Sequence, residues 1–164
     1  MLHAAVTPAG VGTVPRVPDD DARDVSGRDG HAGTDVAVHD GLFVLGDEPI
    51  LIGGRCRECG RVCFPRHEIC PYCSLGPVDE IELSRRGTLW AWTAVTAAPP
   101  GYEGPVPYGF GVVDLEEGLR VITRITESDP SNLEKGQQME VVLDVLTEHD
   151  GHRVLTYAFA PSAR

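Results

Sequence analysis

The chain has 164 residues and a net charge of −11, with 14 Lys and Arg against 25 Asp and Glu; 41% of its residues are hydrophobic and 6% aromatic. That length suits one ordinary domain, or a small module joined to a compact one, and it excludes a complete (β/α)₈ barrel or a two-domain dehydrogenase. The acidic balance argues against a general phosphate-binding surface, which is normally basic, though a local basic cleft stays open.

Residues 1–40 carry Pro8, Pro15 and Pro18, repeated glycines and the run Asp19-Asp20-Asp21, and their apolar residues are mostly Ala and Val without a period. Such a stretch buries too little surface to offset its ordering entropy, so a disordered acidic tail is expected. Its start, MLHAAVTPAGVGTVPRVP, lacks the basic and then apolar order of a signal peptide. No stretch in the chain approaches the ~20 apolar residues of a membrane span. A cytoplasmic protein is expected, whose cysteines are thiols or metal ligands rather than disulfides.

Residues 41–76 form a lead-in and a cysteine module. Leu42 to Leu45 are an apolar patch, Ile50-Leu51-Ile52 is a short strand candidate, and Gly53-Gly54 offers a tight turn into the first cysteine. All five cysteines then fall between residues 56 and 73. Cys56-Arg-Glu-Cys59-Gly60 and Cys70-Pro-Tyr-Cys73 are two Cys-x-x-Cys pairs with ten residues between them. Each pair can curl around an ion, and four thiolates close a tetrahedral site. Zinc fits first, as a structural Zn²⁺ on Cys56, Cys59, Cys70 and Cys73. A rubredoxin-like iron centre shares the donor set. A catalytic zinc does not fit, because four thiolates leave no open position. Cys63 matches neither pair and is expected to be a small buried residue, with His67 at the surface.

Residues 77–164 change to strand signals: Thr88–Thr96, Tyr108–Val113, Leu119–Ile125, Met139–Leu146 and Val154–Ala160. Each is rich in β-branched or aromatic residues and bounded by turn formers. The third reads as a strand with one wet face and a bulge. Glu116-Glu117-Gly118 and His149-Asp150-Gly151-His152 read as hairpin turns, and Asp129 to Gly136 as one helical turn ending at glycine. Five short strands at this spacing predict a small antiparallel barrel.

Within this frame, CRECGRVCFPRHEICPYC, then RRGTLWAWT, PPGYEGPVPYGFGVVDLEEGLRVITRI and DPSNLEKGQQMEVVL follow in order. This series resembles the acyl-CoA-associated zinc-ribbon/OB-fold family, catalogued as domain of unknown function thirty-five, over about residues 50–160. Phe64-Pro65-Arg66, Gly87-Thr88-Leu89 and Lys135-Gly136 make the resemblance more specific than the cysteines alone. It implies a mainly β fold, a rubredoxin-like zinc ribbon followed by a five-stranded OB-fold barrel. It also implies an accessory subunit in a hetero-oligomer with a thiolase-like protein: a thiolase, an acyltransferase or a thiolase-like aldolase of steroid side-chain breakdown. Such a subunit aids assembly and contributes to holding the acyl-CoA thioester, while the partner supplies the nucleophile.

The barrel sequence carries no Gly-x-Ser-x-Gly elbow, phosphate loop or His-Glu-x-x-His helix, so it holds no recognisable catalytic set of its own. His149, His152, Asp114, Glu116 and Glu117 read as solvated turn and strand-end residues. Trp90 and Trp92, two apart on a strand, are expected on one face, packed under the ribbon or against a partner. Tyr102, in the proline-rich loop Pro99 to Pro105, is a candidate interface anchor. Arg85, Arg86, Arg120 and Arg124 are the scarce cations; Arg85 and Arg120 are candidates for the phosphates of CoA, against ordinary ion pairing. Two other functions stay open, an OB-fold nucleic-acid-binding module and a rubredoxin-like electron carrier.

Overall fold

In the computed structural model, the structure describes residues 35–162 apart from Glu103 and Asp150. The expected tail lies outside the described residues up to position 34. Its last part is ordered: Asp35–Ala37 (β1) runs parallel to the final strand, Arg153 donates to the Asp35 carboxylate at 2.8 Å, and the Val38 N–H donates to Leu155 O at 2.8 Å.

Phe43–Val44 (β2), Ile50–Cys56 (β3), Val62–Cys63 (β4) and Val78–Glu82 (β5) make a small antiparallel sheet around β3. Gly53 and Gly54 were expected to turn the chain, but both lie within β3. They are needed for closeness: a Cβ on Gly54 would sit 2.2 Å from Val78 Cγ1, and one on Gly53 would sit 2.7 Å from Leu83 Cδ2. Glycine in a strand often marks such an approach. β5 pairs along its whole length with β3. The ribbon sheet therefore continues past Pro77, where the sequence suggested a boundary.

The five barrel strands are Arg86–Val95 (β6), Tyr108–Leu115 (β7), Arg120–Ile125 (β8), Gln138–His149 (β9) and His152–Pro161 (β10). Each overlaps its expected segment. The sheet runs β10-β8-β7-β6-β9, and pairing of β9 with β10 closes it. Both expected hairpin turns form, with left-handed glycines at Gly118 (φ 74°) and Gly151 (φ 79°). The expected helical turn is shorter, a single 3-10 turn over Pro130–Asn132 that Leu133 ends. Gly136 (φ 84°) serves the following turn instead.

β8 has no bulge against β7. Its alternation is regular, with Val121, Thr123 and Ile125 inside and Ile122 outside at 63% exposure. The Thr123 hydroxyl donates to Arg124 O at 3.2 Å, which lets a polar residue occupy an inward position. The bulges fall elsewhere, at Trp90 in β6 and at Leu146 in β9, which is skipped where Val154 pairs with Thr147 and Leu155 with Val145. The barrel core is formed by residues such as Leu89, Val113, Met139, Val141 and Phe159, each 1% exposed or less. Phe43, Leu51, Val62 and Leu83 of the lead-in and ribbon belong to the same apolar cluster. No helix among the described residues is long and apolar enough to cross a membrane.

Candidate metal centre and its surroundings

The two Cys-x-x-Cys pairs build matching knuckles. In the first, Gly60 N–H donates to Cys56 O at 3.0 Å; in the second, Ser74 N–H donates to Cys70 O at 3.0 Å. Each knuckle closes through a left-handed residue, Gly60 at φ 71° and Ser74 at φ 57°. Glycine is the usual answer to that geometry, so Gly60 was legible in the sequence and Ser74 was not.

The four sulfurs of Cys56, Cys59, Cys70 and Cys73 lie within 4.8 Å of one another, with Cys56–Cys73 and Cys59–Cys70 both at 3.6 Å. A tetrahedron with Zn–S bonds of about 2.3 Å has sulfur–sulfur edges of about 3.8 Å, so the cluster has the right size for a tetrathiolate ion. Backbone N–H groups also point at sulfur. Glu58 and Cys59 donate to Cys56 Sγ at 3.4 Å each, and Tyr72 donates to Cys70 Sγ at 3.4 Å. Such bonds favour the thiolate, the form that binds metal. Burial pushes the Cys70 thiol up, but the Cys73 and Tyr72 N–H groups and the neighbouring thiols bring it down to about 6. The Arg61 backbone pulls the Cys59 thiol down, but burial and the other three cysteines drive it up to about 12.

Cys63 stands outside the tetrad, 4% exposed, with its thiol 3.6 Å from Gly54 O, and His67 is at the surface. The donor set is therefore four thiolates and closed. It suits a metal that holds the fold and leaves no position for a substrate.

The other candidates do not converge on one point. Arg85 pairs with Glu48 at 3.1 Å and Glu140 at 3.3 Å. Arg120 donates to Asp114 at 2.8 Å, and Arg124 pairs with Asp144 at 2.9 Å. Tyr102 accepts from Arg124 at 2.9 Å, donates to Pro105 O at 3.2 Å and packs its ring 5.2 Å from Tyr108.

Trp90 and Trp92 were expected on one face, and the structure separates them. The bulge at Trp90 shifts the register, because Leu89 pairs with Val113 and Ala91 with Val112, its chain neighbour. Trp90 turns outward under the Arg120 guanidinium, 4.2 Å from its ring. Trp92 turns inward against the core and donates from Nε1 to Pro130 O at 3.0 Å. A hollow of about 460 Å³ lies between the ribbon and the β7–β8 turn, lined by Cys59, Arg61, Tyr72 and Glu117 among others. A second hollow, of about 650 Å³, is lined by Tyr72, Asp114 and Arg120 among others.

Residues 43–78 match the family described as "ChsH2, rubredoxin-like zinc ribbon domain", and residues 80–144 match "ChsH2, C-terminal OB-fold domain". A "DUF35 domain-containing scaffold protein" from Methanocaldococcus jannaschii is 37% identical over 110 residues, which is 66% of this chain and 78% of that protein. A benzoylsuccinyl-CoA thiolase subunit, BbsA of Thauera aromatica, is 31% identical over 115 residues, 70% of this chain and 78% of its own length. A chain of the solved Ltp2-ChsH2(DUF35) aldolase is 27% identical, with a TM-score of 0.53, covering 68% of this chain and 84% of that one.

Proposed function

The chain belongs to the DUF35 family of zinc-ribbon/OB-fold proteins, and from this premise we propose that it is an accessory subunit of a thiolase-superfamily enzyme acting on acyl-CoA thioesters. The observation that carries this reading is its likeness, across ribbon and barrel together, to a subunit of benzoylsuccinyl-CoA thiolase. The neighbouring aldolase structure supports the same class of partner. The role is assembly and positioning, while the partner makes or breaks the carbon–carbon bond.

The metal is zinc and its role is structural. Four thiolates fill its coordination sphere, and it stands in for a core too small to hold the ribbon unaided. Arg85, Arg120 and Arg124 each already hold a carboxylate, which favours roles in packing and partner contact over binding the phosphates of CoA.

Tagged chain purified from its native cells, with mass spectrometry of what co-elutes, tests the reading. A stoichiometric thiolase-superfamily protein is expected. A chain recovered alone, or with nucleic acid, under gentle low-salt conditions would overturn it. Metal analysis of the same sample is expected to find one zinc in a colourless protein; a red protein with iron would point to an electron carrier.

A further inference from the structure

The outer face of β6–β7–β8 carries an apolar strip. Strand register sets its rows: Thr88, Asp114 and Arg120 lie side by side, then Ala91, Val112 and Ile122, then Thr93, Phe110 and Arg124. The bulge adds Trp90 to the same face. Ile122 is 63% exposed, Trp90 42% and Phe110 38%, each too large an apolar side chain to leave wet on three adjacent strands without consequence.

Three arginines lie over aromatic rings along the strip. Arg61 lies over Tyr72 on the second knuckle at 5.2 Å, Arg120 over Trp90 at 4.2 Å, and Arg124 over Tyr108 at 4.8 Å. Tyr72 is half-exposed and shares a hollow with Asp114 and Arg120, so the ribbon's aromatic continues onto the barrel face.

Charge decides what such a face can seat. Arg120 is neutralised by Asp114 and Arg124 by Asp144. The strip is thus neutral along its barrel part, with Arg61 over Tyr72 as its remaining cation, on a chain of net charge −11. A polyanion needs free cations and finds none on these two arginines, and the acidic chain repels it as a whole. Large aromatics and arginines around an aliphatic centre are instead what energetic centres of protein interfaces are made of.

We infer that the strip from Tyr72 across Trp90 and Ile122 to Phe110 seats the thiolase-superfamily subunit, against an apolar and uncharged patch of that partner. This inference rests on the accessory-subunit reading and adds the surface through which it operates.

The test titrates the thiolase-superfamily protein that co-elutes with the wild-type chain against purified full-length variants. Ile122→Asp is expected to weaken binding by tenfold or more, because it buries a charge in the contact. Val145→Asp makes the same kind of change on β9, outside the strip, and is expected to leave affinity unchanged. Should Ile122→Asp lose its fold by circular dichroism, Trp90→Ala serves in its place, with the same tenfold loss expected. Unaltered affinity for a folded strip variant would overturn the assignment while leaving the accessory-subunit reading intact. Loss of a homodimer on size exclusion, with partner affinity kept, would reassign the strip to a second copy of this chain. Loss of salt-sensitive oligonucleotide binding, with partner affinity kept, would reassign it to nucleic acid. A wild-type chain that recovers no thiolase-superfamily protein would remove the accessory-subunit reading itself, and this inference with it.

Discussion

The two knuckles solve one backbone problem with different residues. Gly60 holds φ at 71° without strain, whereas Ser74 holds 57° with a Cβ present. A side chain in that region costs roughly 1–2 kcal/mol. Ser74→Gly is therefore expected to raise the midpoint of thermal unfolding, and Gly60→Val to lower it and weaken metal retention. Metal content after dialysis, read beside the melting curve, checks both. The ligands themselves are less forgiving. Cys56→Ser replaces a buried thiolate that accepts two backbone N–H bonds, so it is expected to lose the ion and the partner together. Unchanged metal content and unchanged assembly in that variant would refute the structural role of the tetrad.

At the scale of elements, the five barrel strands and both hairpins were legible because pleated, half-buried segments and their glycine turns leave a local pattern. The tetrad was legible because its spacing is chemical. What escaped the sequence depends on partners far along the chain. The bulge that parts Trp90 from Trp92 arises from pairing with β7, and nothing beside either indole announces it. Gly53 and Gly54 looked like a turn because their crowding comes from Val78 in the paired strand β5 and from Leu83 just beyond it, both far along the chain. Trp92 found its acceptor in the 3-10 turn, whose cap is Asp129 receiving the hydroxyl and N–H of Ser131. The Ser131 hydroxyl, helped by its N–H, holds the Asp129 carboxyl below its ordinary value. Because the folded pKa is the lower one, the cap's contribution is full above the unfolded value of about 3.9 and is lost as pH falls through the folded value. In a Trp90→Phe background, Trp92 is the one remaining tryptophan. Its fluorescence is expected to shift in acid at that step, and Asp129→Ala is expected to produce the shifted signal already at neutral pH. An acid shift that persists unaltered in Asp129→Ala would assign it to another group.

For the whole molecule, the ribbon and barrel cannot be treated as beads on a string. Phe43 and Phe64 both pack edge-on against Tyr157 of β10, at 6.1 and 5.4 Å. The Ser84 N–H and hydroxyl both donate to Glu117 in the β7–β8 turn, at 2.7 and 2.9 Å. Val62, between the knuckles, is buried in the barrel's own apolar cluster. An ion on the four cysteines would thus fix a hairpin whose side chains complete the barrel core. Structural zinc supplies about 10–16 kcal/mol of apparent binding energy in zinc-finger peptides, comparable to the ~5–15 kcal/mol stability of an ordinary domain. Removing it is expected to release Val62 and Phe64 and leave the barrel short of packing. Calorimetry of the chelated protein should then show one transition at lower temperature, with near-ultraviolet signals of the barrel aromatics lost along with it. A barrel transition that stays at the temperature of the metal-loaded protein would mean that the two modules fold independently. The same coupling bears on assembly. If the partner sits across Tyr72 of the second knuckle and Ile122 of β8, its footprint spans both modules, and metal loss weakens binding by moving one half of the footprint against the other. Chelation and Ile122→Asp should then act on one interface, so that applying the second after the first costs less than it costs alone.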